Sequence, residues 1–473
     1  MYTTFSTARN NAVYSMNAHQ RGLVDACFEE SQYDEGIALL SQLRSPSIVP
    51  SVCHMRQLLY FALYPPVLKK QLIDASPSPS KITRQQQRSL TISSQTAASA
   101  CSLLVQLALS MSPEGVAQVL PSYDRYNLDN GGDSIESIIA KESYCISEAK
   151  NCWNMLQRGF IHRHTLSSPT KRSARPTTVY DDNDEDDFST SDVIAEHAWP
   201  VLDFLLVLFE RDESETEARG LPRYSPLLLH QIPAPRSGKG ARWEADAPLS
   251  IILYALTQDG NEQRQQMGSR LTQLLINLCS TNLFDFTMFL NSVFTRVYIT
   301  APQEFLVLLT SLPPTIPVLK FRIMLLSKFI SNGGKSTTQN VSLGTKPQTR
   351  ARPIRRARDE MKQPVEEQVK SQLALTSISS QITLPPFTVI RRSMEELKLN
   401  QSHDNLPYSW IQFQLWTSFA LYQMKLSVDA RDDEWRSLLR DEELPQHLNK
   451  LLGDPVPTLY KDILNDMLSI EQP

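Results

Sequence analysis

Residues 271–293 read LTQLLINLCSTNLFDFTMFLNSV, and no other stretch of the chain indicates its architecture as clearly. The apolar residues recur three and four positions apart, which places them along one face of an α-helix. The polar triplet Ser280-Thr281-Asn282 interrupts this pattern with residue types that commonly cap helices. The stretch therefore predicts two consecutive amphipathic helices joined by a short turn.

Two more helices are predicted directly after this pair. One ends at Pro313-Pro314, and the next opens at Pro317 and covers residues 318–330. Proline lacks an amide donor and restricts the residue before it, so these positions mark helix ends. Because turns of only a few residues force antiparallel neighbours, we predict an all-α fold, an irregular α-solenoid-like (HEAT-like) helical array. The sequence itself shows no repeat signature.

Helical patterns extend on both sides of this region. A broad apolar face over residues 136–160 predicts one long helix, and residues 193–210 predict a buried apolar helix followed by a charged turn. The strand-like stretch at 382–390 contains Pro385-Pro386, which favours an extended docking segment over a central strand. Helical patterns resume from Tyr408 onward.

Stretches that are poor in apolar residues divide the chain into regions. Such segments bury too little apolar surface to offset the entropy of ordering, so we predict that they are disordered. The predicted organisation is an N-terminal helical region at 1–162 with a mobile loop at about 76–94, a charged linker at 163–192, a central helical array at 193–330, a basic disordered linker at 331–381 and a small C-terminal helical domain at 382–473.

The overall composition excludes several classes of protein. The 473 residues include 47 Lys and Arg against 51 Asp and Glu, a net charge of −4 that gives no global attraction to nucleic acid or to an anionic membrane. The 15 glycines are few for this length, which disfavours dinucleotide-binding and barrel enzymes. The six scattered cysteines are predicted to be free thiols. Since no apolar run reaches about 18 residues, we expect a soluble protein.

Three partial motifs lack the residue spacing that nucleotide or metal binding requires. Gly334-Lys335-Ser336-Thr337 resembles the end of a phosphate-binding loop, but Phe329 stands where an earlier glycine is required. The cysteines and histidines within residues 145–164 lack the spacing of any common zinc module, and the acidic run 181–187 lacks the glycine and closing glutamate of a calcium loop. With no catalytic motif either, we predict no enzyme and no catalytic, cofactor or metal site.

Two serines match the preference of a cyclin-dependent kinase. Ser78 and Ser168 each precede a proline and are followed three positions later by a lysine. Both lie in predicted loops, where an extended substrate is accessible. A phosphate at Ser168 would add about −1.5 to −2 charge beside a basic cluster, so phosphorylation is predicted to regulate the loops.

A basic cluster lies in the linker that follows residue 330. It is read as an import signal for an importin, as a salt-sensitive contact with nucleic-acid phosphates, or as a solvated linker without a role. The candidate residues are Arg350, Arg352, Arg355, Arg356 and Arg358.

A series of aromatic residues marks the first predicted helix of the C-terminal domain. Aromatics at helical spacing commonly anchor a core, and the alternative is a groove that binds a helix or a proline-rich segment of a partner. The candidate partner-binding residues are Trp410, Phe413, Trp416, Phe419 and Tyr422.

These features together predict a non-enzymatic scaffold or adaptor subunit of a multiprotein complex. The linker signals favour a nuclear, phosphoregulated protein, with the cytoplasm as the alternative location, and a chromosome-maintenance or cell-cycle complex would suit them. Two other functions stay open. One is direct nucleic-acid binding through the basic linker, and the other is a helical enzyme or enzyme-activating subunit whose site is not visible in the sequence.

Charge reversal of Arg355, Arg356 and Arg358 to Glu separates import from nucleic-acid contact. If the cluster is an import signal, the variant loses nuclear accumulation in cells while its retention on DNA in vitro is unchanged. Loss of retention in vitro would contradict the import interpretation and favour phosphate contact. Fluorescence microscopy of the tagged chain and binding to DNA at two salt concentrations measure the two outcomes.

Overall fold

The computed structural model describes residues 14–44, 48–66, 92–123, 137–161, 193–235, 240–299, 302–333, 384–397 and 408–440. These residues are predominantly α-helical, which confirms the all-α prediction. The strands among them form a single parallel pair, β1 (Tyr14–Ser15) with β2 (Ile48–Val49). None of the described helices combines the length and the hydropathy that crossing a bilayer requires. The chain divides into two compact units, residues 1–313 and 314–473.

The first unit is built from helices of very different lengths. In chain order they are α1 (Ala18–Glu29), α2 (Tyr33–Leu43), α3 (Val52–Ala62), α4 (Ser94–Ser110), α5 (Pro113–Ala117), α6 (Ile138–Ser143), α7 (Cys145–Glu148), α8 (Cys152–Met155), a 3-10 turn (Glu196–Ala198), α9 (Trp199–Ala218), α10 (Pro226–His230), α11 (Asp246–Leu256), α12 (Glu262–Leu278), α13 (Phe286–Ile299) and α14 (Pro302–Ser311).

The longer helices of the first unit pack side by side. Helix α1 packs against α2, α3 against α4, α4 against α9, and α9 against α12. Helix α12 packs against α11 and α14, and α14 also packs against α13. Helix α9 contacts α3, α5 and α10 as well, so it occupies the middle of this unit.

Helix α9 differs from its prediction at its C-terminal end. A buried helix followed by a charged turn was expected, but the helix continues to Ala218. The turn prediction is wrong because Asp212, Glu213 and Thr216 face inward and are buried, while Arg211 and Glu215 pair on the outer side at 3.3 Å. Charged residues at this spacing continue the helix once each of them has a partner.

The predicted long helix at 136–160 is also wrong, because three short helices, α6, α7 and α8, replace it. The backbone is extended at Ala149, with ψ at 144°, and the Asn151 side chain caps α8 by accepting a hydrogen bond from the backbone N–H of Asn154 at 3.0 Å. Gln231, 79 residues away from Cys152, accepts the Cys152 backbone N–H at 2.8 Å. Side-chain caps and a distant partner thus satisfy backbone groups that an unbroken helix would have paired internally.

The second unit consists of α15 (Ile316–Gly333), α16 (Phe387–Leu397), α17 (Tyr408–Lys425), a 3-10 turn (Val428–Ala430) and α18 (Asp433–Arg440). Helix α15 packs against α16 and α17, and α16 packs against α18. Residues 318–330 were predicted as part of the central array, whereas contacts place α15 in the second unit. The other predicted domain boundaries stay predictions.

The prediction of an extended, strand-like segment at 382–390 is wrong, because α16 begins directly after Pro385-Pro386. Proline fixes a φ angle that suits the residues just before or within the first turn of a helix. Phe387 and Ile390, three positions apart, then lie on one buried face. The ring of Phe387 contacts those of Trp416, Phe419 and Trp435, with centroids 5.2–5.7 Å apart, so the segment is a packed part of this unit.

Two helical glycines give a matched test of packing in the first unit. A Cβ at Gly36 of α2 would collide with the ring of Phe28, which is 2% exposed and packs against the ring of Phe61 at 5.3 Å. Gly36→Ala is therefore expected to lower the free energy of unfolding by about 1–3 kcal/mol. Gly22 of α1 has no atom within 4 Å of the same position, so Gly22→Ala is expected to raise it by about 0.5–1 kcal/mol.

Urea denaturation of both variants measures these changes. Effects of the same sign at the two positions would contradict the packing of Gly36 against Phe28, because the helix propensity gained is the same at both.

Candidate functional site

A cleft of about 410 Å³ opens between α4, α9 and α12 in the first unit. This volume lies within the range of about 300–1,000 Å³ that is typical of ligand sites. Four residues of α4 form one wall, and the beginnings of α9 and α12 form the others. The lining residues are Ala98, Cys101, Ser102, Val105, Glu196, Trp199, Pro200, Asp203, Asn261, Gln263, Arg264 and Met267.

Local sequence signals position these walls. Ser93 caps α4 by accepting the backbone N–H of Thr96 at 3.0 Å, and Asn261 caps α12 by accepting that of Arg264 at 3.2 Å. Pro200 occupies the first turn of α9, where its missing N–H costs no hydrogen bond. The first turns of α9 and α12 therefore meet at the cleft.

Trp199 is the largest side chain in the wall and is only 4% exposed. Its ring stacks on that of Tyr254 at 6.0 Å and 18°, and the Arg264 guanidinium lies over it at 4.7 Å. The indole N–H of Trp199 has no acceptor among the described residues. Arg264 also donates to Gln258 at 3.0 Å and pairs with Glu196, which fixes the guanidinium at the edge of the cleft.

Arg270 ties two of the acidic residues of α9, Asp203 and Glu210, to α12. It donates to Asp203 at 2.5 Å, and its Nε and Nη2 atoms each donate to the carboxylate of Glu210 at 2.7 Å. The hydrogen bonds to Glu210 and then to Asp203 raise the pKa of Arg270 above its ordinary value, against the opposing effect of burial. The Asp203 carboxylate in the wall is thereby engaged in holding the helices together.

The thiol of Cys101 has an altered acidity. Burial, and then the negative charge of Asp203, raise its pKa to about 12. The thiol is consequently protonated at neutral pH and is a poor nucleophile. Among the described residues, no group of three or more His, Cys, Asp or Glu side chains is placed to hold a metal ion.

Two buried carboxylates hold the other end of α9. Asp212, 4% exposed, accepts the Ser225 hydroxyl at 2.6 Å and the backbone N–H of Leu227 at 2.9 Å. Glu213 accepts from Arg223 at 2.6 Å and also from Asn277. Burial raises the pKa of Asp212 to about 6 and also raises that of Glu213.

The sequence-predicted aromatic residues all lie on α17 in the second unit. Phe413, Trp416 and Phe419 are buried, whereas Trp410 and Tyr422 are partly exposed. The ammonium of Lys320 lies 6.0 Å from the centre of the Tyr422 ring. A role in binding a partner stays a prediction, and it concerns mainly Trp410 and Tyr422 because the other three rings are covered.

The remaining predicted site residues lie outside the described part of the chain. These are the candidate phosphosites and the basic cluster, namely Ser78, Ser168, Arg350, Arg352, Arg355, Arg356 and Arg358. None of the sequence-predicted site residues lines the cleft. The cleft was missed because its walls come from helices that are far apart in sequence, and its only local signal was the Trp199-Pro200 pair at a helix start.

The raised pKa of Asp212 leads us to predict a specific pH dependence of the free energy of unfolding. Its pKa is higher in the folded protein than the ordinary value of 3.8, so the folded state binds the proton more tightly. The contribution of Asp212 to the free energy of unfolding is greatest below about pH 4. It is lost as the pH rises through about 6, and the free energy falls by on the order of 1 kcal/mol per pH unit in this range. Asp212→Asn should remove this component.

Urea denaturation of wild type and Asp212→Asn at several pH values from 4 to 7 measures the difference. The free energy of unfolding of wild type should fall relative to the variant as the pH rises. Asp259→Asn, at an exposed position, controls for the loss of one negative charge. Parallel curves for wild type and Asp212→Asn would contradict the prediction.

Comparisons with known proteins add no relative to this description. No protein-family model matches the chain, and neither curated proteins nor solved structures give a match. What can be said of function therefore comes from the residues of the chain itself.

Proposed function

We propose that the chain is a non-enzymatic scaffold or adaptor subunit of a multiprotein complex, with the helices of the first unit arranged as an irregular, solenoid-like array. The observation that carries this proposal is that the longer helices of the first unit pack side by side, α1 on α2, α3 on α4, α4 on α9, α9 on α12 and α11 on α12. Helical-repeat proteins are built from such neighbour contacts, and they expose long surfaces to partners.

The cleft between α4, α9 and α12 supports a binding role. It combines apolar wall residues such as Val105 and Met267 with a guanidinium and carboxylates at its edge. A cleft between helices with this composition suits a partner's side chain that has an apolar stem and a polar tip.

The chemistry of the cleft also favours binding over catalysis. Asp203 and Glu196 are each paired with an arginine, and the Cys101 thiol is protonated at neutral pH. Groups engaged in this way hold helices together and are poorly suited to act as a base or a nucleophile. A helical enzyme or enzyme-activating subunit is the weaker alternative.

Nuclear location and phosphoregulation, in a chromosome-maintenance or cell-cycle complex, form the more specific part of the proposal. They are supported by sequence alone, through the kinase patterns at Ser78 and Ser168 and the basic residues 350–358. The same basic residues support the second alternative, direct contact with nucleic acid.

Affinity purification of the tagged full chain at moderate salt, followed by mass spectrometry of partners and phosphosites, tests the proposal. We expect a stoichiometric set of protein partners. Ser102 is exposed and lines the cleft, so Ser102→Trp should fill it and deplete at least one partner by about tenfold, which corresponds to about 1.4 kcal/mol.

The matched control is Ser94→Trp, at an exposed residue of the same helix that does not line the cleft. This variant should retain the wild-type set of partners. Recovery of the wild-type chain as a lone monomer would contradict the scaffold proposal. An unchanged set of partners with Ser102→Trp would exclude the cleft as the contact while leaving the scaffold role intact.

A further inference from the structure

Trp243 is an exposed tryptophan in the connection between α10 and α11. Its side chain is 48% exposed, and tryptophan is the residue type most enriched where partners bind tightly. The other exposed apolar side chains that the structure describes, such as Leu109 and Ile138, are smaller and need no special explanation.

The backbone next to Trp243 is tied down on both sides. The Arg242 N–H donates to the carbonyl of Leu283 at 2.8 Å, and the Arg242 carbonyl accepts the N–H of Asp285 at 2.8 Å. The Arg242 guanidinium donates to the carbonyl of Leu229 at 2.8 Å and also to that of Ile232. The indole is thus presented on a fixed frame, which lowers the entropy cost of binding.

The described residues around Trp243 include more acidic than basic side chains. Glu244 follows it directly, and Asp285 is hydrogen-bonded to the neighbouring backbone of Arg242. Neither carboxylate has an ion-pair partner within the part of the chain that the structure describes. Nearby Asp246 is paired with Arg296 at 2.8 Å, and the guanidinium of Arg242, which donates to backbone carbonyls, offsets one of the two remaining negative charges.

An aromatic face with acidic neighbours favours a cation. Tryptophan gives the strongest cation–π contact of the aromatic residues, and a planar guanidinium can stack on it while donating to carboxylates. The exposed side chain of Met288 adds apolar surface one helical turn after Asp285, where its N–H is held by the Asp285 carboxylate at 2.9 Å. This surface, formed by Trp243, Glu244, Asp285 and Met288, is called the Trp243 surface below.

We infer that the Trp243 surface docks an arginine-bearing segment of a partner protein, with the guanidinium over the Trp243 ring and paired to Glu244 or Asp285. This inference rests on the proposed scaffold function and names one class of partner for it. The contact is distinct from the cleft, none of whose lining residues belong to the Trp243 surface.

Fluorescence anisotropy with a fluorescein-labelled peptide of six Arg-Gly repeats tests the inference on the full chain. We expect Trp243→Ala to weaken binding by about fivefold, equivalent to about 1 kcal/mol. Trp243→Phe should weaken it less, and Glu244→Gln should weaken it and reduce its dependence on salt. Leu109→Ala, at an exposed apolar residue of α4, is the matched control and should bind as wild type does.

A second peptide, with citrulline in place of arginine, separates charge from shape. It should bind the wild-type chain at least about fivefold more weakly, since citrulline has the same outline but no charge. Equal affinity for both peptides, or equal affinity of wild type and Trp243→Ala for the arginine peptide, would overturn the inference.

The purification described above distinguishes failure of this inference from failure of the scaffold proposal. If the wild-type chain retains partners but the peptide affinity does not depend on Trp243, the scaffold proposal would stand and the docking surface would be rejected. If the peptide binds only when Trp243 is present, but the chain is recovered without partners, the docking surface would stand and the scaffold proposal would be rejected. Urea denaturation of Trp243→Ala checks that the variant is folded under the conditions of the binding measurement.

Discussion

The burial of α9 is the constraint on which the first unit depends. Most of its apolar side chains are inaccessible to solvent, and it contacts helices from α3 to α12. A helix in that position can carry charge only where each charged group has a hydrogen-bonded partner, because an unpaired buried charge is strongly destabilising. Asp203 and Glu210 have Arg270, Glu213 has Arg223 and Asn277, and Asp212 has Ser225 and the Leu227 backbone.

These pairings connect the core to both surfaces proposed to bind. At the N-terminal end of α9, Arg270 fixes Asp203 and α12, so the wall of the cleft is set by the same contacts that hold the helices together. At the C-terminal end of α9, Asp212 accepts the backbone N–H of Leu227 in the first turn of α10. The carbonyl of Leu229, in the same helix, accepts a hydrogen bond from the Arg242 guanidinium. Hydrogen bonds thus link a carboxylate buried in the core, through α10, to the residue that precedes Trp243.

The sequence was informative where a pattern is local. Apolar spacing at 271–293 identified α12 and α13, Pro313-Pro314 marked the end of α14, and Pro317 marked the start of α15. Prediction failed where a distant group competes for the backbone. Gln231 and the Asn151 cap break the apolar pattern at 136–160 into short helices, and periodicity carries no record of such partners.

By itself, the sequence determined that the chain is all-α, because helical periodicity and proline punctuation are properties of neighbouring residues. It also contains the kinase patterns and the basic cluster, whose reading needs no contact between distant residues. Only the tertiary structure decided which charges are buried, where the cleft lies and that Trp243 is exposed. Those properties depend on which helices meet, and the residues that meet, such as Asp203 and Arg270, are 67 positions apart in the chain.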